Sequence, residues 1–263
     1  MDIRITKHRI NVIIWFLKRP KLYKQLLREL IRFLNQKQHP TLERSVEAEK
    51  WCGLKSISNV DAMEILEIED PYEIKVKYKF EFDYAYKVAN LMDFDWGGEG
   101  NGMILYHLAK KLNAVNILET GVAYGWSSLS FLLYLNDINE GKLTSIDMPF
   151  FNTLNDDDVG CVIPYYLRDK WRLLNYADKD GLKLACNKQL FDIAHYDSDK
   201  SYNGRKNSYP VIWSKIRLGG FFISDDVSDN LAFKEFCEYI KNEPIIIKFY
   251  DNRKTKYVGV LKK

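Results

Sequence analysis

From residue 114 onward the chain alternates short apolar runs with amphipathic stretches, and this alternation restricts the fold more than any other feature of the sequence. Runs at 115–120, 143–147, 171–175, 190–196 and 219–224 read as strands, while 126–137, 179–187, 203–216 and 229–241 read as helices. Strands that alternate with helices imply a parallel, doubly wound sheet. Two final runs, 244–249 and 256–261, are joined by Asp251-Asn-Arg-Lys254, which predicts an antiparallel hairpin. A helix at 103–112 leads into the first strand. The expected fold class is α/β: a Rossmann-like, doubly wound, seven-stranded sheet closed by a C-terminal hairpin.

The first hundred residues differ in character. Residues 5–35 read as helix interrupted at Pro20, with Leu22, Leu26, Leu27, Leu30, Ile31 and Leu34 on one face. Such a face packs on its own chain or on a second copy, so a homo-oligomer through this segment is one expectation. Residues 1–40 hold ten Lys/Arg against Asp2 and Glu29, a balance of +8 that leaves −5 for the remainder. A basic start fits an acidic membrane surface, a nucleic acid or an anionic substrate, and equally a solvated helix face. No nucleic-acid module accompanies it, and it lacks the wide apolar face and Trp/Phe anchors of a membrane-surface helix. Gln36–Pro40 reads as a polar break, and residues 41–72 carry no clear period.

Between Ile74 and Tyr86 every even position is apolar or aromatic, which predicts a strand at least at its start, although 82–92 also fits a helix. Trp96 and the cluster Gly97, Gly98, Gly100 and Gly102 then form a loop, either a lid or a linker. The division expected is a helical and aromatic extension over 1–96 and one domain over 97–263. Four scattered cysteines without a C-x-x-C imply neither a disulfide framework nor a zinc site. No apolar run reaches a membrane span and no cleavable leader is recognisable, so the expected location is cytoplasmic.

The chemistry concentrates where strands end. Asn116-Ile-Leu-Glu119-Thr-Gly121-Val-Ala-Tyr-Gly125-Trp-Ser127-Ser128 is a strand, a tight turn and a helix N-terminus. The dinucleotide pattern G-x-G-x-x-G is absent because Ala123 stands where a glycine would be, and Glu119 would repel a pyrophosphate but suits a cationic or hydroxyl-rich ligand. Asp147 ends the next strand, about 25 residues further on, where a carboxylate can accept both hydroxyls of a ribose. Two more strands run into acids: Phe191-Asp-Ile-Ala-His195-Tyr-Asp197-Ser-Asp199-Lys200-Ser-Tyr202, and Leu218-Gly-Gly-Phe-Phe-Ile-Ser-Asp225-Asp226-Val227. Carboxylates brought together at one sheet edge repel unless a hard cation, loop amides or a lysine answers their charge.

These segments resemble the class I S-adenosylmethionine (SAM)-dependent methyltransferases. The turn resembles their E/D-x-G-x-x-x-G motif. The Asp-Ser-Asp-Lys-Ser-Tyr and Ser-Asp-Asp-Val segments resemble the metal-dependent O-methyltransferases of the catechol and caffeoyl-coenzyme A type. They are more similar still to a bacterial family related to cephalosporin hydroxylase and macrolide sugar O-methyltransferases, as is Pro164-Tyr-Tyr-Leu-Arg-Asp-Lys-Trp171. The likeness covers residues 97–263. It implies SAM binding by Glu119, Gly121, Gly125, Ser127, Ser128, Asp147 and, at the adenine end, Asp178. It implies a divalent cation, Mg²⁺ in kind, on Asp197, Asp225 and Asp226. Lys200 falls where catechol-type enzymes place a lysine base and the bacterial family a histidine, and His195 is the next candidate. The implied reaction is O-methylation of a small-molecule or sugar hydroxyl. The rivals are a D-x-D glycosyltransferase through Asp197 and Asp199, and a non-catalytic SAM- or partner-binding protein.

Overall fold

The computed structural model describes residues 3–34, 42–69, 71–149, 158–187, 189–251 and 254–263. The chain opens with helix α1 (Ile3–Leu17), a 3-10 turn (Pro20–Leu22) and α2 (Tyr23–Leu34). Pro20 stands in the first turn of the 3-10 segment, where its missing N–H costs nothing. The break expected at 36–40 lies outside the described residues. Next come α3 (Leu42–Lys55), a two-residue strand β1 (Ser56–Ile57), α4 (Asn59–Ile65), α5 (Ile74–Lys77), α6 (Lys79–Ala89) and α7 (Gly102–Leu112). The remainder alternates: β2 (Asn116–Thr120), α8 (Trp126–Asp137), β3 (Lys142–Asp147), β4 (Trp171–Asn175), α9 (Asp178–Ala185), β5 (Phe191–Tyr196), α10 (Tyr202–Ser214), β6 (Ile216–Ser224), α11 (Ala232–Ile240), β7 (Ile245–Asp251) and β8 (Lys254–Lys262).

The strands form one sheet in the order β1-β7-β8-β6-β5-β2-β3-β4, with β8 antiparallel to both neighbours and every other pair parallel. The seven expected strands and the closing hairpin are all present. Two residues of the turn, Asn252 and Arg253, lie outside the described residues. The eighth strand, β1, is a short parallel addition beside β7. Helix α8 is buried on almost every side, from Trp126 to Leu135, which explains why its sequence is apolar all round. The order reverses between β2 and β5, which are paired although α8, β3, β4 and α9 separate them in sequence. In open α/β sheets such a switch point leaves a crevice outside the carboxyl ends of the strands, and ligands bind there.

The expected strand at 74–86 is helical. Ile74, Tyr78, Phe82 and Ala85 are buried at three- or four-residue spacing, whereas Val76 and Phe80 are 77% and 86% exposed. A period of four is contained in a period of two, so the alternation matched both readings, and burial selects the helix. This segment joins the main core: Met63, Ile74, Tyr78 and Phe82 share one buried cluster with Ile104, Leu129, Phe131 and Ile193. The change of sequence character at residue 96 therefore does not mark a gap in the core.

Candidate active site

The crevice at the switch point is lined by Trp96, the loop Gly97–Asn101, Val122, Ala123, Trp126, Ser127, His195, Asp197, Lys200, Asp225 and Lys256, among others. It encloses about 640 Å³, counting space open to solvent. The turn after β2 and the acids after β5 and β6 thus share one cavity. Asp197 and Asp225 reach it because their main chains extend the ladders: Asp197 N–H donates to Thr120 O, and Asp225 N–H to Tyr196 O.

Gly121 has φ +81°, and a Cβ there would lie 2.3 Å from the carbonyl oxygen of Asp197. Only glycine lets the ends of β2 and β5 approach so closely. Gly125 caps α8 at φ +100°. Ala123 also holds a positive φ, +50°, which its residue type does not announce.

Glu119 lies beneath the cavity and is fully buried. Its carboxylate accepts from Ser127 Oγ at 2.6 Å, Ser128 Oγ at 2.5 Å and Ser145 Oγ at 2.6 Å. The sheet register sets Ser145 and His195 on either side of it. Ser128 is equally buried. Of the three residues, only Ser127 reaches the cavity, so Glu119 and Ser128 shape the turn from below.

Asp147 braces the same turn. Its Oδ2 accepts the N–H groups of Val122 at 2.7 Å and Ala123 at 2.9 Å, and its Oδ1 accepts from Met148 N–H. Burial pushes its carboxyl up to about 7, against the lowering effect of these donors. Asp178 faces the loop after β5, where its Oδ2 accepts from Ser198 Oγ and Tyr196 OH. It does not line the cavity.

Asp197, Asp225 and Asp226 converge, each offering an oxygen such that these atoms lie within 4.8 Å of one another. Asp197 Oδ1 and Asp225 Oδ1 are buried and accept no hydrogen bond. Burial and repulsion by Asp197 and Asp226 push the Asp225 carboxyl up. Asp226 takes φ +48°, a left-handed conformation that Asp tolerates better than most residues. Three convergent carboxylates, two of them with an unsatisfied buried oxygen, fit a hard divalent cation. Asp199, the second acid of the D-x-D, is turned away to accept from Ser201 N–H at the start of α10.

Lys200 lies among these acids. Its ammonium donates to Asp226 Oδ2 and stands 3.0 Å from Asp197 Oδ1, an ion pair without hydrogen-bond alignment. Burial opposes its charge, but Asp197 and Asp226 outweigh burial and hold its pKa well above the ordinary lysine value. In this arrangement Lys200 is therefore a counter-ion of the acids. His195 is buried, with Nδ1 3.8 Å from Glu119 Oε1 and no hydrogen-bond partner at that nitrogen. Burial opposes its charge too, and Glu119 with the nearby acids raises its pKa.

Three contributors carried no sequence signal. Arg205 is fully buried, and its guanidinium donates to the carbonyls of Asp226 at 2.9 Å and Asp225 at 3.4 Å, fixing the turn that carries both acids. Lys256 on β8 lies 3.7 Å from Asp226 and 3.6 Å from Asp251. Asp251 in turn accepts from Gly100 N–H at 3.3 Å, tying the glycine loop to the hairpin over the cavity. Replacing Arg205 by Met is expected to cost about 3 kcal/mol or more, since charged donors to buried carbonyls contribute about 1.5–3 kcal/mol each. Chemical denaturation measures that loss.

Comparison with known proteins agrees with this geometry. Residues 118–227 match a family described as a methyltransferase domain. A protein of Arabidopsis thaliana that carries the name of a caffeoyl-CoA O-methyltransferase is 30% identical over 131 residues, which is 48% of this chain and 52% of that one. The chain thus spans about half the length of this curated relative. An O-methyltransferase of Bacillus cereus, solved in complex with S-adenosylhomocysteine (SAH), superimposes with a TM-score of 0.54 at 16% identity, covering 81% of this chain and 100% of that one. One of Streptomyces achromogenes involved in tomaymycin synthesis, solved with SAM, gives 0.53 at 15% identity, covering 75% and 99%. At these identities the likeness to solved structures is one of fold. The match to the methyltransferase-domain family thus covers residues 118–227, and the sheet that carries them is Rossmann-like.

Proposed function

We propose that the protein is a SAM-dependent O-methyltransferase that holds a divalent cation, Mg²⁺ in kind, on Asp197, Asp225 and Asp226, and methylates a hydroxyl of a small molecule such as a sugar or natural product. The observation that carries this reading is the single cavity shared by the turn after β2 and the carboxylates of Asp197 and Asp225, with Asp226 within reach of both. SAM supplies an electrophilic methyl, and the cation supplies a lowered pKa and a fixed orientation to the acceptor oxygen.

The remaining roles belong to the chain. The turn from Gly121 to Gly125 presents backbone to the cofactor, Ser127 offers a hydroxyl, and Asp147 accepts a ribose hydroxyl with the one lone pair left on Oδ1. Trp96 and Trp126 wall the cavity. Lys200, beside the three acids, and His195, on β5, both line the cavity and are the candidate bases. Lys200 becomes a base only when Asp197 and Asp226 are engaged elsewhere, as they are when they act as ligands. Separate assays of His195→Gln and Lys200→Met decide between the two. Loss of the true base lowers the rate by about 10²–10⁴-fold and is partly restored at high pH.

The role of Asp147 has a pH signature. Its carboxyl titrates near 7, raised above the ordinary aspartate value, and accepts a ribose hydroxyl best when ionised. SAM affinity is therefore complete above about pH 7 and falls by up to about tenfold per unit below it, as one proton must leave on binding. Asp147→Asn is expected to bind SAM more weakly by about 1.5–3 kcal/mol and to lose this pH dependence. Calorimetric titration of wild type and variant between pH 5.5 and 8.5 measures both. Equal, pH-independent affinities would remove Asp147 from the cofactor site.

A further inference from the structure

The N-terminal helices bury one side and leave the other uncovered. Phe16 and Leu22 are buried, and Arg28 forms a two-pronged ion pair with Asp180 of α9, which fixes α2 to the domain. The opposite face of α1 carries Ile10, Ile13, Ile14 and Leu17, at i, i+3, i+4 and i+7, all at least 40% exposed. Helix α2 continues this apolar surface with Tyr23, Leu27, Leu30 and Ile31, also at least 45% exposed. Monomeric soluble proteins rarely leave such a stripe open without a partner. Lys18, Lys21 and Lys24 are exposed around the junction of the two helices.

We propose that this face is an interfacial anchor, which lays α1 and α2 on an anionic lipid surface with the apolar stripe in the acyl boundary and the lysines among the headgroups. Charge selects this occupant. Residues 1–40 carry +8. A symmetric dimer through the same face would press two such surfaces together, whereas anionic lipid complements them. The sequence pattern understates the apolar face because it has the leucines of α2 covered by the same chain or a second copy and does not combine them with the isoleucines of α1. No described helix is long and apolar enough to cross a membrane, so the arrangement is one of lying on the surface. The inference is independent of the methyl-transfer reading.

The test is flotation of the full-length protein with vesicles of phosphatidylcholine alone and of phosphatidylcholine with one-third phosphatidylglycerol, at low and high salt. Binding only to the anionic vesicles, weakened by salt, is expected. Reversing two charges, Lys18→Glu with Lys24→Glu, lowers partitioning by about tenfold or more, because each surface cation contributes to the attraction. Ile14→Asp with Leu27→Asp abolishes it while circular dichroism and the melting temperature stay near wild type. Sedimentation velocity of the same proteins reads the alternative. No flotation with anionic vesicles at low salt overturns the proposal. So does a wild-type dimer that the Ile14→Asp, Leu27→Asp variant converts to monomer, because a second copy then covers the face.

Discussion

Excess chelator is expected to abolish methyl transfer while leaving SAM bound, because the residues proposed for the cation and for the cofactor differ. Asp197, Asp225 and Asp226 would hold the cation, and the turn braced by Glu119 and Asp147 would hold SAM. Metal activation of an acceptor oxygen supplies several kcal/mol, so its loss lowers the rate by at least about 10²–10³-fold. Asp197→Ala and Asp226→Ala behave like chelation. Asp225→Asn adds a second, opposite signature. Burial and two neighbouring acids push its carboxyl up, so its charge costs stability in the metal-free protein at neutral and alkaline pH. The asparagine variant is therefore inactive yet melts higher than wild type in chelator at pH 8, and the difference shrinks as the pH falls and the wild-type carboxyl is protonated. Turnover and melting curves with and without chelator check both statements. Full activity in chelator would leave an acid–base methyltransferase.

Gly121→Ala is expected to damage cofactor binding and turnover together. The backbone at φ +81° disfavours any side chain by about 1–2 kcal/mol, and the added carbon lies 2.3 Å from the Asp197 carbonyl oxygen. That neighbour is main chain at the end of β5, so relief requires the two strand ends to part. Separation displaces the cofactor turn and Asp197 together, so SAM binding and turnover fail at once, with a loss of stability of several kcal/mol. Gly97→Ala is the control: it also has a positive φ, +101°, but no atom lies within 4 Å of the added carbon, so it costs only about 1 kcal/mol. Calorimetric SAM titrations and thermal melts of the two variants compare them directly.

The site was partly legible because its positions are strand ends, and strand ends follow from periodicity. Glu119, Asp147, Asp197 and Asp225 terminate apolar runs, and a doubly wound sheet brings such termini to one edge. What the side chains do there was less legible. Glu119 and Ser128 have the residue types of a ligand-binding turn, but three serine hydroxyls close around the carboxylate below the cavity. Lys200 stands three residues from Asp197, which suits a base or a counter-ion equally, and its second ion pair, to Asp226 from another strand, has no sequence signal. Arg205 and Lys256 left no trace because they act across the fold, from α10 and β8, on carbonyls and carboxylates far away in sequence. The start of Ile74–Tyr86 is helical rather than extended for a different reason: exposed Val76, Phe80 and Tyr84 complete a strand period that the buried residues do not need.

If the turn after β2 binds SAM, calorimetric titration of SAM into the full-length protein at pH 8, with SAH as competitor, gives one site per chain, displaced by SAH, retained in chelator and lost in Gly121→Ala. No binding to the folded wild-type protein, or binding undiminished in Gly121→Ala, would contradict that assignment.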